Sequence, residues 1–175
     1  MKKNVVLIVA GVGDFFFGSH SNKSIDKKEK LLSNIEDIVN RGNYKAVTNL
    51  TTPHETTREV DVFKNVRPQS VVNFTLHSDE LLHKNNELAI LSIDNDELLF
   101  DGDQLDFIFP SDSYDIHICG VDINGTFKGA IETLLAKDFH VTVYSDAIRP
   151  FKNTHKYIAS LQNSNKFRYC SYKSV

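Results

Sequence analysis

Ile116-His117-Ile118-Cys119-Gly120-Val121, a turn at Asn124-Gly125, the segment Thr126 to Lys137, and His140-Val141-Thr142-Val143-Tyr144 together decide the fold. The first and last pieces are short apolar runs with β-branched residues, the pattern of buried strands. The piece between them has the length of a helix and follows an Asn-Gly turn. Strand, helix and strand in so few residues form a βαβ unit, whose crossover is expected to be right-handed.

The same alternation extends outward in both directions. Val5-Val6-Leu7-Ile8-Val9-Ala10 is a continuous apolar run, as expected of a central strand covered on both faces. From Lys27 to Arg41 the apolar residues Leu31, Leu32, Ile35, Ile38 and Val39 recur at helical spacing, and Gly42 stops the helix. Ala46 to Leu50 reads as a second strand and Leu88 to Ile93 as a third. A short helix after Gly102 carries Leu105, Phe107 and Ile108, and another runs from about Asn153 to Gln162 with Tyr157, Ile158 and Leu161 inward. Phe167 to Tyr172 is a last strand, expected at a sheet edge because it is short and polar. Residues 51–86 read as an irregular insertion, with apolar pieces at Val60, Val62 and Phe63 and at Val71, Val72 and Phe74. Alternating strands and helices predict an α/β domain with a parallel sheet, a single domain spanning 1–175.

Composition narrows the possible roles. Hydrophobic residues are 41% and charged residues 25% of the 175, ordinary for a soluble globular chain. No apolar run approaches the roughly 20 residues that cross a bilayer, so no membrane association is expected. Met1 to Asn4 followed by Val5 to Ala10 briefly imitates a signal peptide, but the run is short and lacks a small-residue cleavage site. The net charge of −3 argues against a nucleic-acid binder, and Lys27, Lys28 and Lys30 interleave with Glu29 as on a solvated helix face. Two cysteines make no disulfide framework, and a cytoplasmic location is the expectation.

Three stretches carry a family likeness. Ile118 to Thr126, then Ala130 to Leu135, then Val141-Thr142-Val143-Tyr144-Ser145-Asp146-Ala147 resemble the isochorismatase-like cysteine hydrolases. Val5 to Phe15 is similar to that family's opening strand and Asp-Phe loop, and His155, Ala159 and Leu161 are similar to its later helix. The resemblance implies a three-layer αβα architecture: a six-stranded, mostly parallel, doubly wound sheet with helices on both faces. It also implies a site at the carboxyl ends of the central strands, where the strand order reverses.

Members of that family use an aspartate ending the first strand, a lysine ending the third and a cysteine opening a helix. The thiol needs a base to become nucleophilic and a cation to stabilise the thiolate, and the helix N-terminus offers N–H donors to an oxyanion. On this sequence those three positions fall on Ala10, Asp94 and Thr126, and no lysine lies between Asn85 and Phe127. The resemblance places Asp14, Phe15, Asp122 and Asn124 around the pocket.

Alternatives to loss of the triad are few. Thr126 brings a hydroxyl to a helix N-terminus, yet its base would have to be Asp94, an ordinary carboxylate; capping or opening the helix is the other use of a threonine there. Cys119, among apolar neighbours in a strand, reads as a small buried hydrophobe, and Cys170 has no motif near it. Asp14 lines the pocket or bonds amides of the Gly-rich turn. Gly11-Val12-Gly13 lacks the third glycine of a dinucleotide fingerprint. His54, His77, His83 and His117 are scattered and read as exposed loop histidines. Asp94, Asp96, Asp101 and Asp103 around Gly102 lack the closing glutamate of a calcium loop. Neither a metal nor a cofactor is therefore expected. The expectation is a non-catalytic protein that binds a protein partner or itself, as an inhibitor, immunity or structural component. A divergent hydrolase of a small amide or ester and a small-molecule sensor are the other two readings.

Overall fold

The computed structural model describes residues 3–12, 17–18, 27–41, 43–51, 62–63, 71–75, 91–94, 97–100, 105–107, 109–121, 126–149 and 154–175. The run Asn4–Ala10 forms β1, and every residue from Val6 to Ala10 is buried, as its unbroken apolar character requires. Helix α1, Lys28–Arg41, follows and turns Leu31, Ile35, Ile38 and Val39 inward, one face of a 3.6-residue period. Strands β2, Ala46–Thr51, and β3, Val71–Thr75, come next. A hairpin of β4, Leu91–Asp94, and β5, Glu97–Phe100, precedes β6, Tyr114–Val121. Helix α2, Thr126–Ala136, strand β7, Val141–Arg149, helix α3, Thr154–Leu161, and strand β8, Phe167–Cys170, complete the order, followed by a 3₁₀ turn at Tyr172–Ser174.

Six strands form one sheet in the order β3-β2-β1-β6-β7-β8, and every pairing in it is parallel. From β1 the chain builds outward to β3, returns to β6 on the other side of β1, and builds outward again to β8. Right-handed crossovers taken in opposite directions place α1 on one face and α2 and α3 on the other. This is the doubly wound α/β architecture, and its strand order reverses between β1 and β6. The apolar face of each helix closes a core that includes Leu7, Ile8, Ile35, Ile116, Leu134 and Phe139.

Two expectations are corrected. The third strand of the sheet is Val71–Thr75, inside the stretch read as an irregular insertion, and not the run beginning at Leu88. Leu91–Asp94 instead pairs antiparallel with Glu97–Phe100 in a separate two-stranded ribbon, with α2 packed against β5. Both apolar runs have strand character; which of them reaches β2 is decided by the connections, to which local propensity is blind. The last strand does lie at the sheet edge, and ends at Cys170 rather than Tyr172.

Local chemistry sets the ends of the decisive βαβ unit. Beyond α2, the Phe139 amide bonds to the Leu134 carbonyl at 3.0 Å and the Asp138 amide to the Leu135 carbonyl at 3.1 Å, with Asp138 at φ 69°. These two bonds are a Schellman closure, with aspartate taking the left-handed position where glycine is commoner. Phe139, directly after it, is wholly buried. The Asp138 carboxylate also pairs with Lys166 at the start of β8, which holds its pKa below the usual carboxylate range.

Candidate functional site

The strand order reverses between β1 and β6, and the carboxyl ends of strands at such a reversal are where ligands bind in open α/β sheets. Ala10 ends β1 and is 1% exposed; it lies in register with Gly120 near the end of β6. Gly120 has φ +116°, and a Cβ there would come within 2.0 Å of the Ala10 carbonyl oxygen. Glycine is thus required twice over, by the backbone angle and by the closeness of the neighbouring strand. Gly11 turns the chain out of β1 at φ 60°, and Val12 and Phe17 are buried beyond it. Thr126 is the first residue of α2, the helix that leaves β6.

Of the three positions aligned with the family triad, Ala10 and the start of α2 thus belong to the two sides of the switch point, Ala10 ending β1 and α2 following β6. Asp94 ends β4 in the separate ribbon, and not a strand of the main sheet. The side chains of Asp94 and Thr126 lie outside the described residues, as do Asp14, Phe15, Asp122 and Asn124. Cys119 is the cysteine nearest the switch point in sequence. It is wholly buried in register with Val9, and burial pushes its thiol pKa far up, so it remains a protonated, apolar thiol. Among the described residues no group of three His, Cys, Asp or Glu could hold a metal ion. His54, His77, His83, Asp96, Asp101 and Asp103 lie outside them.

The Ser145-Asp146-Ala147 motif has a structural use here. Pairing of β6 with β7 breaks between Ile118↔Val143 and Gly120↔Ile148, and the residues of the break include Asp146. Its carboxylate accepts from the Ser171 hydroxyl at 2.5 Å and from the Tyr172 amide at 3.0 Å. Its backbone carbonyl accepts from the Asn34 side chain of α1 at 2.6 Å. One aspartate therefore joins β7 to the C-terminal turn, and its carbonyl joins β7 to α1.

A buried polar group that sequence reasoning missed lies on the α1 face. His117, grouped with the exposed histidines although its segment reads as a buried strand, sits in β6 at 8% exposure. Its Nδ1 is 2.5 Å from the Tyr144 hydroxyl, which is 3.2 Å from the Tyr44 hydroxyl. Desolvation lowers the His117 pKa to about 4, against a smaller opposing effect of Asp115, and the imidazole is neutral at pH 7. Burial raises the pKa of both tyrosines, so they are neutral too. The arrangement that suits a neutral imidazole has Tyr44 donating to Tyr144 and Tyr144 donating to Nδ1, with the imidazole proton on Nε2. The available signal was period two: β6 and β7 are buried strands, and a polar-tipped side chain on each marks a shared face.

This histidine makes stability depend on pH. On unfolding, its pKa returns to about 6.5, so between pH 6.5 and 4 the unfolded chain takes up a proton that the folded chain refuses. The contribution is complete above pH 6.5 and is lost as pH falls toward 4, amounting to about 3 kcal/mol. Urea unfolding of the wild type and His117→Gln at pH 7 and pH 4.5 measures it. The variant is expected to lose less stability on acidification; parallel losses would mean that His117 is not held neutral by the fold.

The sequence matches no protein-family model and no curated protein. Solved structures do match over nearly the whole chain. The pyrazinamidase of Pyrococcus horikoshii, solved in complex with zinc, is 15% identical, with 97% of this chain and 99% of that one covered and a TM-score of 0.63. The N-carbamoylsarcosine amidase of Thermoplasma acidophilum is 11% identical over 96% of both chains, with a TM-score of 0.60. An isochorismatase-like hydrolase of Alkaliphilus metalliredigens is 17% identical over 98% of this chain and 96% of that one, with a TM-score of 0.57. The order of strands, the switch point between β1 and β6 and this likeness over whole chains agree: the protein has the isochorismatase-like hydrolase fold.

Proposed function

We propose that this protein is a non-catalytic relative of the isochorismatase-like hydrolases, retained as a single domain for binding a protein partner or a second copy of itself. The observation that carries this reading is Ala10. At the carboxyl end of β1, where the sequence resemblance calls for the catalytic aspartate, stands a methyl group that is 1% exposed. No proton can be taken up or given there. Cys119 offers no thiolate in compensation, being buried and protonated. Stability of such a fold resides in its sheet and helices, so the fold survives loss of the chemistry.

A binding role has its own support. Phe107, in the single helical turn 105–107, is 87% exposed. A phenylalanine presented to water is the kind of anchor that a protein interface buries.

Ammonia release from pyrazinamide, nicotinamide and N-carbamoylsarcosine tests the loss of chemistry. The purified chain is expected to release it no faster than buffer, and Thr126→Ala to behave identically. Release that Thr126→Ala abolishes would identify Thr126 as a nucleophile and the protein as a divergent amide hydrolase. Light scattering tests association, against a monomer mass of 19.8 kDa. A multiple of that mass that Phe107→Ser returns to the monomer identifies self-association through this residue; a monomer in both directs attention to a different partner.

A further inference from the structure

On the α1 face of the sheet, from Val5 at the start of β1 to His117 within β6, two cavities open side by side. One of about 540 Å³ is walled by Tyr44, His117, Tyr144 and Tyr172, with Asp37 and Ile38 of α1 alongside. The other, of about 450 Å³, is lined by Lys3, Asp115, His140, Lys166 and Arg168 among others. They share Val5, His117 and Val175 as lining residues and so meet across them. Each volume lies within the range of small-molecule sites, roughly 300–1,000 Å³.

The walls of the first cavity are rings set edge to face. His117 and Tyr144 cross at 87° with centroids 5.2 Å apart, Tyr144 and Tyr172 at 85° and 6.5 Å, and Tyr44 and His117 at 77° and 6.2 Å. Tyr44, Tyr144 and His117 already use one another's polar atoms, and Tyr172 donates to Asp37 at 3.1 Å. The walls therefore present ring surface, suited to a flat apolar body. Val175, 62% exposed, lies at the junction of the two.

The second cavity decides the charge of the occupant. Its Lys3 lies 3.8 Å from Asp115 and its Lys166 pairs with Asp138, so those cations are offset. Arg168 has no acidic partner among the described residues. Neither does Lys173, which lines the first cavity with its ammonium 5.6 Å from the centre of the Tyr172 ring. A fork of guanidinium donors beside a ring-walled cavity matches a carboxylate carried on an aromatic body.

From this juxtaposition we propose that the paired cavities are a binding site for a flat aromatic carboxylate, its rings between Tyr44, Tyr144 and Tyr172 and its carboxylate toward Arg168. The site is independent of the switch point and of whether chemistry survives there.

The chain has six tyrosines and no tryptophan, so its intrinsic fluorescence reports on tyrosines, three of which line the site. Titration with 2-naphthoate, followed by calorimetry and by quenching of that fluorescence, is the test. Saturable binding with one site per chain is expected. Arg168→Ala should weaken it about tenfold, and Arg168→Glu with Lys173→Glu should abolish it. Both residues are exposed, so these variants are expected to melt like the wild type. The neutral amide 2-naphthamide should bind at least about tenfold more weakly than the acid. Absence of binding to the wild type overturns the proposal, as does binding that the double variant leaves unchanged or that the amide reproduces in full.

Discussion

Gly120→Ala is expected to destabilise the fold by about 4 kcal/mol, combining backbone strain with the cost of overpacking. The residue is held at φ +116°, outside the angles that side chains favour. The added methyl would meet the Ala10 carbonyl oxygen at 2.0 Å and its nitrogen at 2.8 Å, backbone atoms that cannot turn aside as a side chain could. Ala10 is itself paired on both sides, with Leu50 in β2 and Gly120 in β6, so relief would require parting the two central strands. A chain of this size loses about 2–4 °C of melting temperature per kcal/mol, which makes the expected drop roughly 10 °C. Equilibrium urea unfolding and thermal melting both measure it. A loss below about 1 kcal/mol would show that β1 and β6 do not approach as closely as described.

Phe139→Ala is expected to cost a similar amount, about 4 kcal/mol, for a different reason. Phe139 has no exposed surface and is among the largest fully buried side chains. It follows the left-handed Asp138 that closes α2 and precedes β7, so its ring fills the core where helix and strand part. The surrounding strands cannot collapse into the space left behind, and the cavity term adds to the lost transfer energy. Phe139→Leu keeps most of the volume and is expected to cost about 1.5 kcal/mol. Comparing the two by urea unfolding separates volume from backbone effects, since both leave the Leu134 carbonyl bond in place. Equal costs for leucine and alanine would assign the effect to the turn and not to packing.

The proposed loss of chemistry has a packing counterpart at Ala10 and Gly120. In this chain the end of β1 is a close-packed backbone contact, where a small residue faces a glycine. Introducing a carboxylate by Ala10→Asp would bury a charge without a described partner, a costly change.

Local pattern was enough for much of the architecture. The unbroken run from Val5 to Ala10 determined a strand covered on both faces, the spacing of Leu31, Ile35 and Ile38 determined α1, and Ile116 to Tyr144 determined the βαβ unit. Those readings depend on periodicity and on what a residue must do with its backbone hydrogen bonds, both of which are carried by neighbours in the chain. The positions of Ala10 at a strand end and of Thr126 at a helix start were legible for the same reason, since each borders a recognisable element. The tertiary structure alone decided which apolar run completes the sheet: Val71–Thr75 and not the run from Leu88, because pairing partners are chosen by connections across tens of residues. It alone brought Tyr44, just before β2, together with His117 of β6, Tyr144 of β7 and Tyr172 of the C-terminal turn around one cavity. It alone turned Asp146 from a motif residue into a clasp for the C-terminal turn. Such contacts join residues 25 or more positions apart, and no local preference encodes them, because their energy exists only once the strands are already side by side.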